Sequence, residues 1–183
     1  MIDRWIAEAT ECDFKVSLEV KKPKSWLKSV SAFANGIGGT LFFGIDNDRN
    51  VIGLADAQND AETISRLIKE RIAPYPNFIL APERENGKDI LVLSVSAGRS
   101  TPYYYKADGI TEAYIRIGNE SVIAPSYVLN QLLLKGMNRT YDALDSEYDF
   151  KDYAFSKLRE RYKVWTGNSM EEKLFDSFEM RDD

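Results

Sequence analysis

The stretch Val30-Ser31-Ala32-Phe33-Ala34-Asn35-Gly36-Ile37-Gly38-Gly39-Thr40-Leu41-Phe42-Phe43-Gly44-Ile45-Asp46 decides the fold. It closes one helix, turns on glycines and opens one strand. Upstream, Pro23 suits a first helical turn, where its missing N–H costs nothing. Trp26, Leu27, Val30, Phe33 and Ala34 then recur at helical spacing and predict one apolar stripe. Asn35-Gly36 and Gly38-Gly39 stop the helix, and Thr40 to Ile45 is an apolar run expected as a strand buried on both faces. The turn Asp46-Asn47-Asp48-Arg49-Asn50 leads to Val51-Ile52-Gly53, expected as the return of a hairpin.

Moving outward, residues 2–9 read as a short helix. From Asp13 to Val20 apolar and polar residues alternate, as in a half-buried strand. Asn59 and Glu62 form a capping pair before Ile64, Leu67, Ile68 and Ile72, and Pro74 and Pro76 end that helix. Strands are expected at about 77–84 and 88–97 around Asn86-Gly87, a strong hairpin signal, and at about 111–117, with a helix near 126–137. Residues 149–180 read as two helices, acidic outside, with an aromatic seam of Phe155, Leu158, Tyr162 and Trp165 and a capping box at Ser169 and Glu172. The predicted class is α+β: a mixed β-sheet with packed helices over 1–138, then a C-terminal helical extension over 139–183 that serves as a linker or dimerisation element to a further C-terminal domain.

Composition narrows the chemistry. The 183 residues include no His and one Cys, Cys12. Triads and dyads that need imidazole are excluded, as is a zinc cluster. Any metal must be held by carboxylates, which favours Mg2+ or Mn2+. No apolar run is long enough to span a membrane, and the first residues are unlike a signal peptide, so a cytoplasmic location is expected. The net charge of −5 is uneven: residues 1–140 hold 17 acids and 17 bases, whereas 141–183 hold 12 acids and 7 bases. Between Lys15 and Lys28 stand Lys15, Lys21, Lys22, Lys24 and Lys28 against Glu19 alone. Such a stripe suits a phosphate backbone, and equally a solvated helix entrance.

The glycine-rich turn lacks the Gly-Lys-Ser/Thr ending of a phosphate loop and runs from helix to strand, the reverse of that motif, so ATP is not expected. Glu8, Asp13 and Asp46 fall at the ends of elements that can converge at one sheet edge. Gathered there, three carboxylates would repel one another unless a divalent cation neutralised them, and that cation could activate water against a phosphodiester. Three separate capping acids explain the same pattern. Lys15 shares a strand face with Asp13. Arg116 could take a phosphate bidentately or form a structural ion pair. Tyr103, Tyr104 and Tyr105 could stack on unpaired bases, or alternate between core and surface on an edge strand.

Glu8-x4-Asp13-Phe14-Lys15, the Val30–Asp46 stretch, Val51-Ile52-Gly53, Pro102-Tyr103-Tyr104-Tyr105-Lys106 and Tyr114-Ile115-Arg116-Ile117-Gly118-Asn119 together resemble the Schlafen/AlbA-type domain over about residues 5–125. The resemblance implies a nucleic-acid-binding (DNA or RNA) module of a regulatory or defence protein, with RNA or single-stranded DNA as ligand. By their own charge or aromatic character Lys15, Lys21, Lys22, Lys24, Lys28, Arg116 and Tyr104 are the residues expected to contact that ligand. Vertebrate Schlafens use three acids to cut tRNA and rRNA. By position these correspond to Glu8, Asp13 and Asp46, with Asp48 the alternative for the third, so a Mg2+- or Mn2+-dependent endoribonuclease is the rival reading. An interaction module built on the tail is a third. The sequence departs from the family pattern at Asp13, where Glu is usual, at Ala9, where Ser is common, and in lacking the vertebrate zinc ligands. It holds one lobe where the vertebrate core pairs two, so a homodimer is expected.

Overall fold

The computed structural model describes residues 11–139 and 154–177. The chain divides into two compact units, Met1–Tyr141 and Asp142–Asp183. The first contains two four-stranded sheets with a helix between them. Its elements are β1 (Cys12–Lys15), α1 (Lys24–Asn35), β2 (Gly38–Phe43), α2 (Ala57–Arg71), β3 (Ile72–Ala73), β4 (Phe78–Glu85), β5 (Lys88–Ser96), β6 (Tyr104–Ala107), β7 (Ile110–Ile117), β8 (Glu120–Ile123) and α3 (Ser126–Gly136). The first sheet runs β1-β2-β5-β4, parallel between β1 and β2 and antiparallel elsewhere. The second runs β3-β6-β7-β8 and is antiparallel throughout. The α+β class with a mixed sheet and packed helices is what the sequence predicts.

Helix α1 is buried on more than one stripe. Trp26, Leu27, Val30, Phe33 and Ala34 are fully shielded and join Leu41, Phe43, Leu91 and Leu93 in the main core. The Trp26 ring meets Phe43 edge-on, with centroids 5.7 Å apart. Each such large apolar side chain contributes about 1.5–3 kcal/mol on burial. Ser29, Ser31 and Asn35 are buried as well. Ser31 Oγ donates to the Tyr103 carbonyl (2.6 Å) and accepts from the Tyr114 N–H (3.1 Å). Asn35 Nδ2 donates to the carbonyls of Tyr103 (3.0 Å) and Tyr114 (2.9 Å), and its Oδ1 accepts from the Tyr103 N–H (2.7 Å). These polar residues tie the helix to the second sheet, satisfying groups that would be costly to bury unpaired.

The glycine turn is filled by its own surroundings. A Cβ on Gly39 would lie 2.4 Å from ring carbons of Phe33, and Gly38 takes φ +97° with its Cβ position 2.9 Å from the Val95 carbonyl. It is a tight helix-to-strand junction, as glycine allows.

Several boundaries move. The strand expected over 13–20 ends at Lys15, because Gly44 and Ile45 N–H groups both turn onto the Lys15 carbonyl and the parallel ladder has no further partner. The 51–53 return shrinks to one bridge, Ile45 to Val51. The cap of α2 is Asp56, accepting the Asn59 N–H at 3.0 Å, and not Asn59 itself. The Asn86-Gly87 hairpin forms as expected. Strand β8 is an addition that the sequence pattern does not announce. The expected helix at 2–9 lies outside the described residues.

In the second unit α4 (Ser156–Thr166) and α5 (Lys173–Ser177) are joined through Arg159, which bonds the Met170 carbonyl (3.1 Å) and Glu172 (2.6 Å) and sits 4.9 Å from the Phe175 ring centre. Phe155 packs on Phe175 at 5.0 Å. Trp165 does not join this seam: it is 91% exposed. Glu172 binds Arg159 and does not complete a capping box with Ser169. Helix α4 is also not acid-faced, since Lys157, Arg159, Arg161 and Lys163 oppose Glu160 alone.

Candidate nucleic-acid interface

The segment that connects β1 to α1 carries the lysine stripe across the end of the second sheet. Between them lies a groove of about 790 Å3. Its lining joins the cations Lys21, Lys22, Lys28 and Arg71 to aliphatic Val20, Ile110 and Ile123 and to the rings of Tyr105 and Tyr114. Among the described residues Lys21, Lys22 and Lys28 make no ion pair, whereas Arg71 reaches Asp108 only at 3.9 Å.

Lys24 differs. Its Nζ lies 2.9 Å from Glu112 Oε2 and 5.8 and 6.0 Å from the ring centres of Tyr105 and Tyr114. The Tyr114 hydroxyl donates to the same Glu112 oxygen. The bond to Glu112 raises the Lys24 pKa, and the bond from Tyr114 together with Lys24 lowers that of Glu112. Burial pushes the Tyr114 phenol up. Lys24 is thus largely committed to the wall of the groove.

Beside the groove runs a polar chain. Lys15 Nζ donates to Asp13 Oδ1 (2.7 Å) and Ser29 Oγ to Asp13 Oδ2 (2.6 Å). Ser29 and Ser121 share a hydroxyl contact of 3.0 Å, and Arg116 donates to Ser121 Oγ (3.1 Å) and to the Cys12 carbonyl (2.9 Å). Arg116 also lies 5.2 Å from the Phe33 ring centre. Burial depresses its pKa and the Asp13 charge opposes that shift. Arg116 therefore straps the second sheet to the edge strand of the first through a hydroxyl and a carbonyl.

Of the three acids, Glu8 lies outside the described residues. Asp13 stands opposite Leu41, five positions before Asp46. Asp46 accepts from the Asn50 N–H (2.8 Å) and Asn50 Nδ2 (2.9 Å), bonds that lower its pKa and close its own turn. Among the described residues no three acids or cysteines gather to hold a metal. Tyr103 and Tyr105 are core residues and do not offer stacking faces, while Tyr104 is half-buried on β6. Sequence reading missed Arg71, Ser29 and Ser121. The buried Ser29, Ser31 and Asn35 within an apolar helix are the signal that the second sheet would need polar anchors.

The first unit is an α+β domain whose central helix is clamped between two sheets and whose open face is a cation-lined groove. The chain belongs to the Schlafen AlbA_2 family, whose sequence profile matches residues 8–125. Among solved structures it is similar to the N-terminal domain of a Nitrosomonas europaea protein named for its relation to the ATP-dependent DNA helicase RecG. That match has 22% identity and a TM-score of 0.50 over 63% of this chain and 84% of the other. It is also similar to the DIP2311 protein from Corynebacterium diphtheriae, at 18% identity and a TM-score of 0.53 over 91% of this chain but 36% of that longer one. Both likenesses concern the fold.

Proposed function

We propose that this chain is a nucleic-acid-binding domain whose groove takes the backbone of RNA or single-stranded DNA. The carrying observation is the set Lys21, Lys22 and Lys28, which line the groove with no carboxylate partner among the described residues, beside the aliphatic Val20, Ile110 and Ile123. Cations placed this way exchange condensed counterions for protein charge along a nucleic-acid backbone. The family, and a similar fold in a protein named for a DNA helicase, are consistent with it. Lys15, Lys24, Arg116 and Tyr104 fall to supporting roles, since three are committed internally and Tyr104 is half-buried.

Glu8 lies outside the described residues, and among those described no three acids gather round a divalent cation. Both Asp13 oxygens accept internal bonds, one from an ammonium, and both Asp46 oxygens are taken by Asn50. Binding without cleavage is the reading adopted, because the charges gathered among the described residues are lysines and not carboxylates. The test incubates the chain with labelled structured RNA and an unpaired oligonucleotide in Mg2+ or Mn2+, beside Glu8→Gln and Asp13→Asn. A stable complex and intact RNA are expected. Cleavage that both variants abolish would overturn this in favour of the three-carboxylate nuclease. Light scattering on the same samples reads whether two chains pair, as a homodimer requires.

A further inference from the structure

We infer that the outer face of α4 is a second contact point for single-stranded nucleic acid, with the Trp165 indole as a stacking platform and Lys157 and Arg161 as phosphate partners. The inference rests on the nucleic-acid reading but on a separate unit of the chain. Lys157, Glu160, Arg161, Val164 and Trp165 are spaced i, i+3, i+4, i+7 and i+8 and so share one helix face. They line a shallow depression of about 760 Å3. The packing that holds α4 to α5 uses Phe155 and Arg159, which leaves this face out. Trp165 is 91% and Val164 82% exposed. Lys157 and Arg161 make no ion pair among the described residues, and Glu160 between them leaves the face net positive.

Charge selects the occupant. Helix α4 carries four bases and one acid, while the rest of 141–183 holds eleven acids and three bases. The face is a cationic island that would attract an anionic strand and, in a two-fold pair, would meet its own cations. Two apolar side chains are far from the roughly 800 Å2 per partner that a stable protein interface buries. They are equally short of the broad apolar face that holds a helix at a lipid surface. An exposed indole beside two unpaired cations is the arrangement by which proteins hold unpaired bases and their phosphates.

The test is a fluorescence-anisotropy titration of the full chain with labelled oligouridylate. Trp165→Ala should weaken binding at least about fivefold, the low end for removal of one stacked base. Trp165→Phe should retain most of the affinity and, in a Trp5→Phe background that leaves only the buried Trp26 beside Trp165, should remove most of the ligand-induced tryptophan quenching. The Lys157→Glu/Arg161→Glu double variant should flatten the plot of log K against log salt by roughly 1.4, at about 0.7 for each phosphate no longer neutralised. If these variants bind like the parent while Lys21→Glu/Lys22→Glu/Lys28→Glu loses binding, the inference is wrong and the groove reading stands. If the parent binds no oligonucleotide, both fall. A Trp165→Ala effect seen only in self-association, or only on anionic phosphatidylglycerol vesicles, would also overturn it by naming another occupant.

Discussion

Asn35→Ala is the most informative change in the core. The Asn35 side chain makes three bonds to the backbone of the second sheet, at 2.7, 2.9 and 3.0 Å, from a position only 4% exposed. Truncation removes the acceptor of the Tyr103 N–H and a donor to the Tyr114 carbonyl, whereas the Tyr103 carbonyl keeps Ser31. Each buried group left unpaired costs about 1–3 kcal/mol, so two of them imply a loss of about 2–6 kcal/mol. With a urea m-value of about 2 kcal/mol/M, the unfolding midpoint should fall by roughly 1–3 M. Urea titration followed by circular dichroism measures it. A loss below about 1 kcal/mol at unchanged m would refute the claim that Asn35 clamps helix to sheet. Asn35→Asp should be no better, because a carboxylate would face two carbonyl oxygens.

Other outcomes follow from the same structure. Lys21→Glu/Lys22→Glu/Lys28→Glu should lower affinity for unpaired RNA at constant fold and cut the salt slope by roughly 2, at about 0.7 for each phosphate neutralised, read by anisotropy at low and at near-physiological salt. Gly39→Ala drives a methyl into the Phe33 ring and should cost about 1–3 kcal/mol, more than Gly87→Ala, where nothing lies within 4 Å and only the positive φ resists; thermal melts compare them. Glu112 has a folded pKa below its unfolded one, so its contribution is complete above the ordinary carboxylate range and is lost as pH falls through the lower folded value. Melting temperatures taken from neutral to acid pH should therefore fall less steeply for Glu112→Gln than for the parent.

What the sequence shows is local, and what it hides is who meets whom. Apolar spacing from Trp26 to Ala34, the glycines after it and the apolar run to Ile45 place α1 and β2 without any tertiary knowledge, and Asn86-Gly87 does the same for β4 and β5. The single-stripe reading of α1 fails because a helix between two sheets is covered except along the strip of Lys24, Ser25 and Lys28, and Ser29, Ser31 and Asn35 are buried by hydrogen bonds that no periodicity reports. The lysine stripe is visible in sequence, but that Lys24 is spent on Glu112 while Lys21, Lys22 and Lys28 are not depends on β7, far along the chain. Asp13 looks like one of a trio, yet its partners Lys15 and Ser29 come from its own strand and from α1. Trp165 fits a heptad in sequence and points to solvent because α5 packs on a different face.

The start of α1 has a consequence for how the domain responds to ionic strength. No acid occupies its first turn and no side chain caps it, yet Lys21, Lys22 and Lys28 crowd the end where the helix dipole is positive. The free domain therefore holds like-charge repulsion at this end, offset at Lys24 by Glu112 but not at Lys21, Lys22 and Lys28. Added salt screens that repulsion and firms up the unliganded fold, while the same salt drives a bound strand off. A melting curve recorded alone should move up with salt, and one recorded with oligonucleotide should move down until the two meet. The salt concentration at which they meet marks where the strand no longer does the work of the missing acids.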